Sequence, residues 1–334
     1  AASYRSEMKY LIILLFLIIG CSAGMNNDVT LQDKALLVEA KDSFQAIGKT
    51  LIDEKKNSDL IALGEKLYFE TKLSANGKIS CNSCHQLDKF GVDNEATSPG
   101  HDGRRGDRNS PTVYNAALNF SQFWDGRAKD LAAQAGGPIL NPIEHGIENK
   151  SQAMHKIKSK EYVHLFKKAF PSSKNSWGYT KLTQAIAAFE KTLLTPSRFD
   201  DFLGGNIKSL NRQEREGLKK FMEVGCTSCH NGKGIGGNSY QTIGAVNVYE
   251  TKDLGRFNVT KDPEDKFSFK VPTLRNIVHT APYFHDGSVK TIENAIKLMG
   301  FHQLDVRLSS SDIAQLKAFL GSLSAKKGTL YKKK

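Results

Sequence analysis

The chain has 334 residues, of which 39% are hydrophobic and 25% charged, and it carries a formal net charge of +12. That profile belongs to a folded globular protein long enough for two domains of ordinary size, and it excludes a disordered chain and a bundle of membrane helices. The positive excess is spread thinly apart from Lys326, Lys327 and the terminal Lys332 to Lys334, with no interleaving of aromatic and basic residues, so no nucleic-acid partner is expected.

The first feature from the N-terminus is an apolar run from Leu11 to Gly20, preceded by Met8 and Lys9. It is too short to cross a bilayer as a helix but suits the centre of a secretory signal, so residues 1–20 read as a targeting segment. Its end, Ile18-Ile19-Gly20-Cys21-Ser22, is similar to a bacterial lipoprotein signal, in which Cys21 is lipidated and begins the mature chain. A plain secretory signal with a nearby small-residue cleavage site is the competing reading. The expected location is the periplasm, with membrane contact through a lipid anchor alone.

Helix-period apolar patterns follow over 28–48, 58–69, 151–170, 179–194, 211–224, 291–300 and 310–323, and the expected fold is mainly α. Ser151, and Ser309 to Ser311 ahead of Asp312, have the chemistry of helix starts. Two long connections rich in Gly, Asn and Asp, 91–110 and 231–270, exceed ordinary loop lengths and suit segments that wrap a large prosthetic group.

An internal repeat organises the rest. Ser110 to Arg127 aligns without a gap to Val271 to Ser288, placing Pro111 on Pro272, Asn115 on Asn276, Phe123 on Phe284, Asp125 on Asp286 and Gly126 on Gly287. Each copy follows its own Cys-x-x-Cys-His, at Cys81, Cys84, His85 and at Cys226, Cys229, His230. The chain therefore reads as two cytochrome c-like domains related by duplication, 21–195 and 196–325, joined just after Leu194 and followed by a basic tail, 326–334.

Cys-x-x-Cys-His is the attachment signature of c-type haem: two thiols on one turn reach the two vinyl groups, and the adjacent histidine binds iron. A shared zinc site would have to draw on two separate units, and a redox Cys-x-x-Cys belongs in a βαβ setting that this chain lacks. Two disulfides, the ordinary reading of four cysteines in an exported chain, leave the two histidines unexplained. Two covalent haems with proximal ligands His85 and His230 are expected.

The opposite axial positions are unequal. The second unit offers Met299, whose thioether favours Fe(II) and raises the potential; Met222 and His302 are its weaker rivals. The matching position of the first unit is Pro138, which cannot ligate. Two other groups are available there: His101, carried between Gly100 and Gly103 on an adaptable backbone, and Glu144, a carboxylate after Pro142 able to shuttle protons.

With these residues the chain resembles the bacterial dihaem cytochrome c peroxidases, through SCNSCH, GDRNSPTVYNAALNFSQFWDGRAKDLAAQA, NPIEHG and TAPYFHDGSVKTIENAIKLMG, over nearly the whole mature chain from Leu63 to Leu323. The resemblance implies a low-potential peroxidatic haem in the first unit, with His85 proximal and His101 closing the resting site. It implies Glu144 as acid and base, Gln134 beside it at the peroxide pocket, and Trp124 between the haems. The second haem takes His230 and Met299 and stores an electron at high potential. A calcium ion between the domains is also implied, held by the Asn109 side-chain oxygen and the Thr280 and Pro282 carbonyls. The implied activity is reduction of hydrogen peroxide to water by electrons from a small cytochrome c or cupredoxin, in a homodimer. A related branch that oxidises tryptophans of a partner protein has tyrosine where this chain has Met299, and a dihaem electron carrier without peroxidase activity is the alternative from another class.

Overall fold

The computed structural model describes residues 29–332, so the targeting segment, Cys21 and the last two lysines lie outside the described residues. The chain is mainly helical. In order it forms α1 (Leu31–Ser43), α2 (Ser58–Tyr68), α3 (Cys81–Cys84), α4 (Leu131–Leu140), α5 (Lys150–Lys156), α6 (Lys160–Ala169), α7 (Tyr179–Glu190), α8 (Arg198–Leu203), α9 (Arg212–Glu223), α10 (Phe257–Thr260), α11 (Ile292–Leu304) and α12 (Ser310–Ser322). Two short strands, β1 (Tyr240–Thr242) and β2 (Ser268–Lys270), pair antiparallel with Tyr240 opposite Lys270. Among the described residues no helix is long and apolar enough to cross a membrane.

The expected start of α12 is present: the Ser309 hydroxyl accepts the Asp312 N–H, and the Asp312 carboxylate accepts the Ser309 N–H in return. Ser151 is a correction. The cap of α5 lies two residues earlier, where the Asn149 side chain accepts the Gln152 N–H at 2.9 Å. The single helix expected over 151–170 is also two, because Ser159 accepts the Tyr162 N–H at 3.2 Å and so caps a new helix in the middle of the pattern.

Two large apolar cores, with a small third cluster at Ala116, Leu131 and Ala187, hold the described residues together. One gathers α2, α6 and α7 around Leu63, Tyr68, Phe166 and Phe189; the other gathers α8, α9 and α12 around Phe199, Phe202, Leu218 and Phe319. Each contains a helix crossing made possible by glycine. A Cβ on Gly64 of α2 would stand 1.9 Å from the Ala185 carbonyl oxygen on α7, and one on Gly217 of α9 would stand 2.0 Å from that of Gln315 on α12. The chain ends depart from the expected boundaries. Leu36, Ala40 and Phe44 pack into the second core although they fall within 21–195, the expected first domain, and Leu330 and Tyr331 of the expected tail pack against the first core. Apolar faces go where complementary surface exists, so these packing units are not contiguous in sequence.

The aligned segments follow the same backbone path. Asn115 and Asn276 have φ of 62° and 63°, Phe123 and Phe284 have 69° and 71°, and the bridge Gln122 to Ala128 is matched by Tyr283 to Val289. They also exchange hydrogen bonds between equivalent places: the Asn109 N–H donates to the His285 carbonyl and the Lys270 N–H to the Trp124 carbonyl, each at 2.7 Å. At the join, the Thr195 hydroxyl accepts from Asn115 Nδ2 at 2.7 Å and from Asn276 Nδ2 at 2.9 Å.

Candidate functional site

Both Cys-x-x-Cys-His motifs open onto one cavity of about 420 Å³ between the cores. Cys81 and Cys84 stand at the two ends of α3, which Ser80 caps, and Cys226 opens a single 3-10 turn, so each thiol pair is one short turn apart. All four are free thiols rather than disulfides, and all four line the cavity.

The two histidines differ in what holds them. His85 Nδ1 lies 3.0 Å from the Pro111 carbonyl, a bond that places its proton on Nδ1 and leaves Nε2 as the donor atom. Burial pushes its pKa down. His230 is pushed down to about 4, also by burial, and its Nδ1 makes no hydrogen bond. The equivalent carbonyl, that of Pro272, is close by: a Cβ on Gly236 would stand 2.2 Å from the Pro272 oxygen and 3.3 Å from His230 Nδ1. Gly236 has φ +119°, so glycine is required there for conformation and for space. Neutral imidazoles next to free thiols on a cavity wall fit the donor set of covalently attached haem.

On the side of His85 the wall is formed by Glu144, Gln134, Arg127, Phe123, Trp124 and Pro138. Burial raises the Glu144 pKa, against a hydrogen bond from Asn141 Nδ2 to its Oε1 at 2.6 Å and the positive charge of Arg127. The sequence reading passed over Arg127, because its place in the second copy is taken by Ser288. The Arg127 guanidinium stacks 3.5 Å above the Phe123 ring centroid and is bound to Asp125 at 3.0 Å, which fixes it at the wall. Trp124 Nε1 donates to the Asn109 carbonyl at 2.9 Å, holding the indole where the two halves meet.

Met299 on α11 lines the cavity and so does Pro138 at the matching place on α4. Neither rival of Met299 reaches the wall: Met222 packs against the second core, and His302 Nδ1 is 2.8 Å from the Asn247 carbonyl. Asn109, Thr280 and Pro282 all border the cavity, with Asn109 Nδ2 donating to the Glu95 and Ala96 carbonyls at 3.0 and 3.3 Å. Among the described residues no group of three His, Cys, Asp or Glu could hold a metal, so a cation there would depend on neutral oxygens, which suits a hard ion.

Among the described residues, His101 is the one expected site residue that does not line the cavity. Its N–H donates to the Glu144 carbonyl at 2.8 Å, its own carbonyl accepts from Asn76, and its Nε2 lies 3.3 Å from the Pro142 carbonyl. The imidazole rests over Gly146, where a Cβ would stand 2.2 Å from Nε2. Those contacts hold the ring outside the wall. Two further wall residues escaped the sequence reading, Glu190 and Lys270, both ionisable and both buried. Nothing local marks them, since each sits in an unremarkable helix or strand pattern.

Fold and cavity together define a mainly helical protein with two cysteine–histidine sites facing one chamber. A family model described as di-haem cytochrome c peroxidase matches residues 58–208. The chain is 46% identical over 272 residues to the cytochrome c551 peroxidase of Nitrosomonas europaea, covering 80% of this chain and 81% of that one. It is 45% identical over 272 residues to the cytochrome c551 peroxidase of Pseudomonas aeruginosa, covering 79% and 78%. Among solved structures it is similar to a MauG-like protein associated with microbial copper homeostasis, with a TM-score of 0.74 at 26% identity over 84% of this chain and 94% of that one. The chain belongs to the di-haem cytochrome c peroxidase family.

Proposed function

We propose that the protein reduces hydrogen peroxide, with two electrons and two protons, to two molecules of water, the electrons arriving one at a time from a small periplasmic cytochrome c or cupredoxin. The observation that carries this reading is Glu144, a half-buried carboxyl lining the same cavity as Gln134 and His85, next to a helix that presents Pro138 where the second copy has Met299. The names of the relatives support it.

Cys81, Cys84 and His85 would hold one haem, and Cys226, Cys229, His230 and Met299 the other, as the two halves of a duplicated chain. When bound, these groups supply an iron for peroxide at the first site and a store for one electron at the second. The residues divide the remaining work. Glu144 takes the proton from one peroxide oxygen and delivers it to the other, so that the bond breaks with water as the leaving group. Gln134 orients the peroxide by hydrogen bonding, and Trp124 fills the space between the sites as the path for electrons. Asn109, Thr280 and Pro282 hold calcium at the seam. His101 closes the first site in a resting form and swings out on Gly100 and Gly103; its position over Gly146 and Pro142 suits the released form. Export to the periplasm, lipidation at Cys21 and a homodimer complete the proposal.

Replacing Glu144 with Gln keeps the shape and removes the base. Turnover of peroxide falls by roughly a hundredfold or more while both haem absorption spectra stay unchanged. Unaltered turnover would overturn the role given to Glu144, and absence of peroxide turnover in the wild type itself would favour a pure electron carrier.

A further inference from the structure

The buried cations of this protein are paired, with one exception among the described residues. Arg275 is bound by both carboxylate oxygens of Asp200 at 2.9 Å, and Arg215 lies 2.6 Å from Asp33. The half-buried Arg108 reaches Asp125 and Asp253 at 2.6 Å each. Lys270, only 6% exposed, has neither an acidic partner nor an acceptor for its ammonium, and its side chain is on the cavity wall. Desolvation pushes its pKa down to about 8, with no carboxylate working against it. A buried cation in this state is unfavourable until a counter-charge is supplied, and here the supply can come only from what fills the cavity.

The position of Lys270 says which occupant. It corresponds to Asn109 in the repeat, and each stands two residues before the proline near its own histidine: Pro111, whose carbonyl meets His85, and Pro272, whose carbonyl stands at Gly236 near His230. Its N–H is spent on the Trp124 carbonyl, so the strand is fixed against the other half. The ionisable groups on the elements packed around it offer no anion. Tyr240 is opposite on β1 with Arg256 stacked on its ring, Asp125 is engaged by Arg108 and Arg127, and His285 stacks on Phe269.

We propose that Lys270 binds a carboxylate side chain of the prosthetic group attached at Cys226 and Cys229, and that its positive charge helps set that group's preference for the reduced state. The proposal rests on the haem reading of the cavity. A ferrous centre carries one positive charge fewer than a ferric one, so a fixed cation beside it favours reduction, and removing the cation lowers the potential.

The test uses the haem-loaded protein. Covalent haem is counted first, by the alkaline pyridine spectrum; fewer than two haems per wild-type chain defeats the haem reading itself. The midpoint potentials of both haems are then measured by spectroelectrochemistry in wild type, Lys270→Met and Lys270→Arg. Methionine keeps the length and apolar stem without the charge, and arginine keeps the charge. Lys270→Met is expected to shift the second haem at least tenfold toward the oxidised state, 59 mV for a one-electron couple, while Lys270→Arg stays close to wild type. Loss of that haem in the methionine variant alone supports the same assignment. An unchanged potential at the second haem in Lys270→Met, a shift confined to the first haem, or loss of haem in both variants overturns it.

Discussion

Glu190 shows how strongly one side chain depends on its surroundings. It ends α7 on the cavity wall, 5% exposed, with Oε2 lacking any hydrogen-bond partner, and burial pushes its pKa from 4.5 up to about 8. The folded protein therefore holds this proton more tightly than the unfolded chain does. Its stabilising effect is fully present below pH 4.5 and is lost as the pH rises through about 8. Replacing Glu190 with Gln should remove that dependence. Between pH 5 and pH 8 the wild type is expected to lose up to roughly 4 kcal/mol relative to the variant, read from denaturant melts at the two pH values. Parallel losses in both proteins would mean that Glu190 already finds a partner. Glu144 was visible in the sequence as a loop carboxylate after Pro142, but its role came from the family resemblance and not from the loop itself. Glu190 could not be picked out, since its burial comes from segments far away in the chain.

Among the elements, α2, α9 and α12 were readable because each buries residues at helical spacing, and α7 because its pattern runs unbroken into a second half buried all round, Ala185 to Glu190. α4 was not: Gly136, Gly137 and Pro138 argue against a helix. It forms because the Asp130 side chain accepts the Ala133 N–H at 2.8 Å and because Leu131, Ala135 and Ile139 are buried on one side. Where two helices cross at glycine, the backbone contact admits no side chain. Gly64→Ala would set a methyl 1.9 Å from the Ala185 carbonyl oxygen, and neither backbone can yield without moving α2 from α7. A loss of about 1–3 kcal/mol is expected in thermal or denaturant unfolding, against no loss for Gly48→Ala, whose new methyl would meet nothing. Equal stability of the two variants would show that the crossing has slack.

At the scale of the whole molecule, the chain laces its two cores together at its ends. The Phe44 ring meets Phe199 edge to face with centroids 5.2 Å apart, and the Tyr331 N–H donates to the Tyr114 hydroxyl at 2.9 Å. Phe44→Ala should therefore cost about 3–5 kcal/mol, and the loss should fall on the second core although residue 44 precedes the first. Amide hydrogen exchange locates it: protection in α9 and α12 is expected to drop while α2 and α7 keep theirs. Equal loosening of all four helices would mean that the cores unfold as one unit.

The sequence by itself determined what depends on neighbours a few residues apart: the thiol–thiol–histidine spacing at each motif, the helix-period stripes, and the repeat that pairs Met299 with Pro138. Only the tertiary structure decided which groups share a cavity, that Glu190 lines it with an unpartnered oxygen and Lys270 with no carboxylate acting on it, and that His101 rests on Pro142 outside it. Burial and pairing of charge are set by atoms brought together from distant segments, and a linear pattern carries no record of those distances.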